Sequence, residues 1–323
     1  MMIPDKLGSE YYRSFLTRQG QAFYDLVNAQ LIRQDYSGRI TFPVSNSQTA
    51  SSDAFAAVQA LKDDRPEHFY LGYHCDFLRR GTSAILKYQI LYSSATIDRI
   101  REQLRRTMYN MVRGTANLPM FDREALVYER IAQRLSYANH GDVRDHSIVG
   151  PVLMSAGVCE GHNALLLLCF RRIGIPCIKV YGTSKTEKHC WTIAWIDGCP
   201  VHCDVTWDGS NEGVVCFNYL NLSDRQIAED HFCFKGSCVP ECTTETLNYY
   251  THRGFCVHSY AELQARIKND SRSGSPILIH FSYDPPATDY FNEVQRALAS
   301  ENIYGNYRVH CHADLKNVAV IKG

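Results

Sequence analysis

Between Gly161 and Gly174 the chain carries Ala164-Leu165-Leu166-Leu167-Leu168-Cys169-Phe170, an unbroken apolar run inside a segment bounded by a glycine at each end. A stretch of this kind is accommodated only by burial, and its length favours a helix over a strand. The spacing predicts a buried helix from about Glu160 to Ile173. Arg171 and Arg172 fall in its last turn, where cations complement the dipole. Gly174 is placed to stop it in the left-handed conformation, and Pro176 follows two residues on.

Cys159 then lies at the helix N-terminus. The unsatisfied amides and the positive dipole end favour thiolate over thiol there, and the same amides can donate to an oxyanion. Taken alone, Cys159 reads as a buried structural thiol, because free cysteine is among the most buried residue types. The flanking Gly157 and Gly161, the helix start, and a histidine and an aspartate downstream shift the reading to a nucleophile.

That histidine and aspartate sit in a hairpin pattern. His189 to Ile196 and Val201 to Trp207 are rich in β-branched, aromatic and apolar residues, and Asp197-Gly198 between them is a two-residue turn signal. With this turn Ile196 pairs with Cys199 and Asp204 falls opposite Trp191. His189, two residues before Trp191, then shares Asp204's face, diagonal to it. A carboxylate there can orient the imidazole and stabilise its protonated form. A three-residue loop would shift the register by one and separate the pair.

The series Gly157-Val158-Cys159-Glu160-Gly161, His189-Cys190-Trp191 and Asp204-Val205-Thr206-Trp207-Asp208 resembles the motifs of the bacterial transglutaminase-like superfamily, over roughly residues 140 to 232. The resemblance implies an α+β fold with a papain-like core, in which a helix carrying the cysteine packs on an antiparallel sheet carrying the histidine and aspartate. It also implies a Cys159, His189, Asp204 triad. His146 to Pro151 looks like the approach segment, and Tyr219-Leu220-Asn221 like the downstream loop. Relatives usually have Ala and Asn where this chain has Cys190 and Thr192, and often Tyr where His162 stands.

Around this core, expected at 139–250, two flanking regions are expected. Residues 1–138 read as mostly helical: a helical pattern at 7–33, a strand Arg39 to Val44, a loop Ser45 to Asp53, and a helix Asp53 to Leu61. A strand Ser83 to Tyr92 and helices Ala95 to Arg113 and Arg123 to Tyr137 follow. Residues 251–323 alternate strand and helix at Gly254 to Val257, Tyr260 to Lys268, Pro276 to Phe281, Tyr290 to Ala299 and Tyr307 to Ile321, a small α+β appendage.

Composition narrows the partners. Lys plus Arg and Asp plus Glu number 34 each, so no global field recruits nucleic acid or an anionic membrane. No run of about 18 apolar residues is present to span a bilayer. The first residues, Met1 to Lys6, lack the apolar core of a signal peptide, and the thirteen cysteines are then expected as reduced thiols in the cytoplasm.

Other residues have plainer readings. His189 alone would be a satisfied strand histidine, and Asp208, four residues after Asp204, could cap the following loop. Trp191, Trp195 and Trp207 are core candidates by default. Trp191, Gly161 and His162 are the candidates to line the substrate cleft. His231, Cys233, Cys238 and Cys242 offer soft zinc ligands but contain no Cys-x2-Cys pair, so no metal and no cofactor is expected.

The expected chemistry is attack of the thiolate on an amide carbonyl of a protein or peptide, giving a thioester. Water as acceptor makes a peptidase or deamidase, and a lysine amine makes a transglutaminase. No loop with calcium-ligand spacing is seen, and hydrolysis needs no second site, which favours the peptidase-like reading. A binding module with a silent site and a small-molecule acyltransferase are the alternatives.

Overall fold

The computed structural model describes residues 8–43, 49–185, 187–209, 213–234, 236 and 238–322. Val44, Ser45 to Gln48 and Met1 to Leu7, on which parts of the expected strand, loop, helix and leader fall, lie outside the described residues. In the N-terminal part α1 (Arg18–Ile32) starts at Thr17, whose side chain accepts from the Gly20 amide. β1 (Arg39–Pro43) and α2 (Ala50–Asp64) follow, α2 being longer at both ends than expected. β2 (Leu71–Arg80) and β3 (Ser83–Ile90) pair antiparallel, and β1 adds to β3. β2 is not anticipated and mostly faces solvent, although Leu71, Tyr73, Cys75 and Phe77 alternate along it. α3 (Ser94–Val112), capped by the Ser93 side chain, matches the expected helix, while α4 (Met120–Arg134) starts and ends three residues earlier than the expected Arg123 to Tyr137, whose last two residues form a strand.

The approach to the core is tight. β4 (Ser136–Tyr137), α5 (Val149–Leu153) and β5 (Ala156–Gly157) precede α6 (Cys159–Arg172), with β4 and β5 paired in parallel. Every α6 residue from Gly161 to Phe170 is buried, as the apolar run requires, and Gly174 ends the helix at φ 86°.

The core sheet is antiparallel. β6 (Cys177–Ser184), β7 (Glu187–Ile196), β8 (Cys199–Cys203) and β9 (Leu220–Leu222) lie side by side. α7 (Asp224–Ile227) then leads to β10 (His231–Cys233), which pairs with the outer edge of β6. At the β7–β8 turn Asp197 and Gly198 have φ 49° and 82°, the two positive values of a type I′ turn. The register runs from Ile196 opposite Cys199 to Thr192 opposite Cys203, as the two-residue turn predicts. One face of β7 meets α6, where Asn163 Nδ2 donates to Thr192 Oγ1 at 3.1 Å. The other presents Trp191, Ile193 and Trp195 to a cluster completed by Ile178, Val180 and Tyr11.

After α8 (Tyr249–His252), the C-terminal part comprises β11 (Cys256–Val257), α9 (Tyr260–Asp270), β12 (Ile277–Phe281), α10 (Tyr290–Ser300), β13 (Tyr307–His312) and β14 (Asn317–Lys322). Its sheet has the order β11-β12-β14-β13, and the single strand expected at Tyr307 to Ile321 is a hairpin. Its helices and sheet bury a cluster of their own, including Leu263, Phe281 and Val294. The main cluster instead runs continuously from α1 and α2 through α4 to α6 and β7. The molecule is thus α+β, with a cysteine-bearing helix packed on an antiparallel sheet. Among the described residues no helix is long and apolar enough to cross a membrane.

Candidate catalytic site

Cys159 is the first residue of α6, entered from Val158 in extended conformation. The amides of this first turn have no helical carbonyl behind them. The turn is fixed from outside by the 145–147 segment: the Val158 amide donates to the Asp145 carbonyl at 3.1 Å. A Cβ on Gly161 would lie 2.8 Å from that carbonyl oxygen and 2.9 Å from that of Ser147, so only glycine lets the two backbones cross so closely.

The hairpin brings His189 and Asp204 into contact. His189 Nε2 donates to Asp204 Oδ2 at 2.5 Å, both side chains being buried. Asp204 Oδ1 accepts from the Thr206 and Trp207 amides at 2.9 and 3.3 Å, and its carbonyl accepts from the Tyr128 hydroxyl. Burial by itself would raise this carboxylate, but His189 and a second histidine hold it well below the usual carboxylate range.

The other side of His189 faces the thiol. Interaction with Cys190 and with His189 outweighs burial and brings Cys159 down to about 5. Burial lowers His189, yet the Asp204 carboxylate and Cys159 lift it to about 10. Both shifts favour a thiolate–imidazolium pair at neutral pH.

The residues expected to line the cleft lie beneath it. Trp191 is 1% exposed and stacks on His189 with ring centroids 5.9 Å apart. Its indole N–H donates to His202 Nδ1, while His202 Nε2 donates to Asp224. His162, also 1% exposed, donates from Nε2 to the Ser136 carbonyl, and burial pushes it down to about 4. The open cleft beside His189, about 450 Å³, is instead lined by Tyr137, Lys185, Glu187, Lys188, Thr206 and Trp207, with the Lys185 ammonium over the Trp207 ring.

Asp208 takes the loop-capping place. Its carboxylate accepts from the Tyr128 hydroxyl and the Asn218 and Tyr219 amides at 2.7 to 2.8 Å, which ties the 204–219 loop down behind Asp204.

Two contributors escape the sequence reading. Cys190 adjoins the Cys159 sulfur although it is next to His189 in the chain. His231 reaches the same Asp204 oxygen as His189, at 3.1 Å. The partners of His231 are the carboxylates of Asp204 and Asp230 and not Cys233, Cys238 or Cys242. His189, Asp204 and His231 offer ligand atoms within 4.8 Å of one another, but both imidazole nitrogens are spent on the carboxylate as hydrogen-bond donors. None of the thirteen cysteines is paired in a disulfide.

Residues 106–205 match the family model of the Transglutaminase-like superfamily. The transglutaminase-like segment runs from within α3 to one residue past Asp204 and holds Cys159, His189 and Asp204. Among solved structures, the chain is similar to a TGase at 11% identity, covering 54% of this chain and 52% of that one, with a TM-score of 0.32. It is also similar to a "putative cysteine protease" from Cytophaga hutchinsonii at 14% identity, covering 44% of this chain and 64% of that one, with a TM-score of 0.29. The chain therefore spans about half of the first structure's length and less than two thirds of the second's. No curated protein matches it.

Proposed function

We propose that this chain is a thiol hydrolase that cleaves amide bonds of a protein or peptide through Cys159, His189 and Asp204. The observation that carries the reading is the 2.5 Å hydrogen bond between buried His189 and Asp204, beside the helix-start Cys159 whose thiol is lowered by its neighbours Cys190 and His189. The Cys159 thiolate attacks the amide carbonyl carbon, and the carbonyl electron pair moves to oxygen, near the first-turn amides of α6. Collapse breaks the C–N bond, and the leaving nitrogen takes the proton from His189 Nδ1. A thioester and a neutral imidazole remain. His189 then removes a proton from water, whose oxygen attacks the thioester. Expulsion of the thiolate leaves a carboxylic acid and restores the ion pair. Asp204 holds the ring in the tautomer that points Nδ1 at sulfur throughout.

The family match supports a second reading, in which the acyl donor is a glutamine side chain and the acceptor is water or a lysine amine. Iodoacetamide labelling at neutral pH tests the shared chemistry. Fast labelling that maps to Cys159 and vanishes in Cys159→Ala is expected, and labelling at the rate of an ordinary thiol refutes both readings and leaves a silent binding module. Backbone cleavage of a denatured protein then identifies the peptidase. Ammonia release from a glutamine peptide, with and without an added primary amine, identifies the deamidase or transglutaminase.

A further inference from the structure

His231 is buried on the opposite side of Asp204 from the Thr206 and Trp207 amides, at the start of edge strand β10. Its ring is boxed by Trp191, Trp207 and Tyr219, with centroids 5.0 to 5.4 Å away, and stands 5.4 Å from that of His189. Both of its nitrogens face carboxylates: Nε2 lies 3.1 Å from Asp204 Oδ2, and Nδ1 makes a close contact with Asp230 Oδ1. A neutral imidazole has one donor and one acceptor nitrogen, so it would set a lone pair against one of these anions. Only the imidazolium satisfies both. Asp230 is itself held by the Tyr219 hydroxyl, which in turn accepts from His312 Nε2 of β13 at 2.7 Å.

We propose that His231 is a second imidazolium on the triad carboxylate, a positioning residue that fixes Asp204 Oδ2 and takes up part of its charge so that His189 can release its proton to a leaving amine. The inference rests on the thioester chemistry proposed above. A lone buried carboxylate hydrogen-bonded to an imidazolium holds the proton strongly and makes a poor general acid of it. A second cation on the same oxygen weakens that hold and repels the charge on His189 directly.

The groups facing His231 are of both signs, with the two carboxylates nearest. From β7 comes His189, from the loop after β8 Asp204, from the turn before β10 Asp230, and from the segment before β9 Tyr219. Asp208 acts on Asp204 and Tyr219 from behind, His162 acts on Asp204 from α6, and His312 and Lys185 stand beyond Asp230. Burial is the largest single influence and lowers His231, but Asp204 and Asp230 together outweigh it, so His231 is raised above the usual histidine range.

The test needs no substrate. In a Cys159→Ala background, which removes the thiolate partner, the His189 ring is titrated by NMR on histidine-labelled protein and assigned by its absence from a further His189→Asn variant. His231→Gln keeps an N–H donor toward Asp204 Oδ2 but deletes the charge. Its expected effect is a rise of about one pH unit in the His189 midpoint. An unchanged or lowered midpoint in a folded His231→Gln protein overturns the proposal, because a merely structural role would loosen Asp204 and lower it. Asp230→Asn is the second variant and leaves the His231 side chain in place. It is expected to lower the His231 midpoint and raise that of His189, and a His231 that stays unshifted there also overturns the proposal. Iodoacetamide labelling of the wild type reads the Cys159 chemistry separately, so failure of either idea is distinguishable from failure of the other.

Discussion

At Asp204 one carboxylate serves four donors: two imidazoles on Oδ2 and two amides on Oδ1. Loss of its charge should therefore be felt at once by His189. Asp204→Asn is expected to lower kcat/KM by about 10³ to 10⁴, the range found when a triad carboxylate is neutralised and its histidine takes the wrong tautomer. Asp208→Asn is expected to leave catalysis far less affected and to lower thermal stability, since Asp208 secures loop amides and touches no reacting group. Comparing kcat/KM with the melting temperature for both variants checks the division of labour. The pH dependence follows from the ion pair. The reactive form needs Cys159 deprotonated and His189 protonated, so kcat/KM should rise through about pH 5 and fall through about pH 10. A profile with an acid limb near 8.5, the ordinary thiol range, would contradict a preformed thiolate.

At the scale of elements, the β7–β8 hairpin decides whether the carboxylate meets its histidine. Gly198 has φ 82°, so Gly198→Val is expected to destabilise the fold by about 1 to 2 kcal/mol and to lower activity in proportion to the unfolded fraction, read by urea denaturation. α4 offers a second test through Glu124, which is fully buried and accepts from Asn221 Nδ2 at 2.9 Å. Burial pushes this carboxyl up to about 8. The folded state then keeps a proton that the unfolded chain releases near pH 4.3, so stability falls as pH rises from there to about 8 and levels off above. Glu124→Gln, which cannot titrate, should escape that decline, and melting temperatures at pH 5 and pH 8 show it as a smaller drop than in wild type. The same elements show what can be read from residues alone. The turn Asp197-Gly198, the helix ends around Gly174 and the register placing His189 near Asp204 are local, and the structure has them as expected. β6 is not anticipated, although Lys179 falls between Ile178 and Val180 in an alternating pattern. That lysine is tolerated in the interior only through an ion pair at 2.6 Å with Asp63 of α2, a partner no local pattern can announce. His231 and Cys190 stayed hidden for the same reason: each acquires its role from a residue brought beside it by tertiary packing.

For the molecule as a whole, the continuity of the apolar interior predicts its units of unfolding. One cluster is shared by α1, α4 and α6 and takes in Leu278 of β12 and Ala319 of β14, while a second lies wholly within the C-terminal part. The elements of the shared cluster are therefore expected to open together in native-state hydrogen exchange, with α9 and α10, whose buried residues belong to the second cluster alone, following a separate and lower opening free energy. A single common opening for all elements would show instead that the C-terminal part has no independent stability.

The network around Asp204 also has an order in time. His189 and Asp204 are separated by 15 residues, a loop whose closure is entropically cheap, and Cys159 has already been made when they appear. His231 comes 27 residues after Asp204, and Tyr219 waits 93 residues for His312. On the ribosome, then, nucleophile, imidazole and carboxylate are all present while the last strands are still being synthesised. A chain halted before β13 would carry Cys159, His189 and Asp204 without His312, the far end of the hydrogen-bonded network.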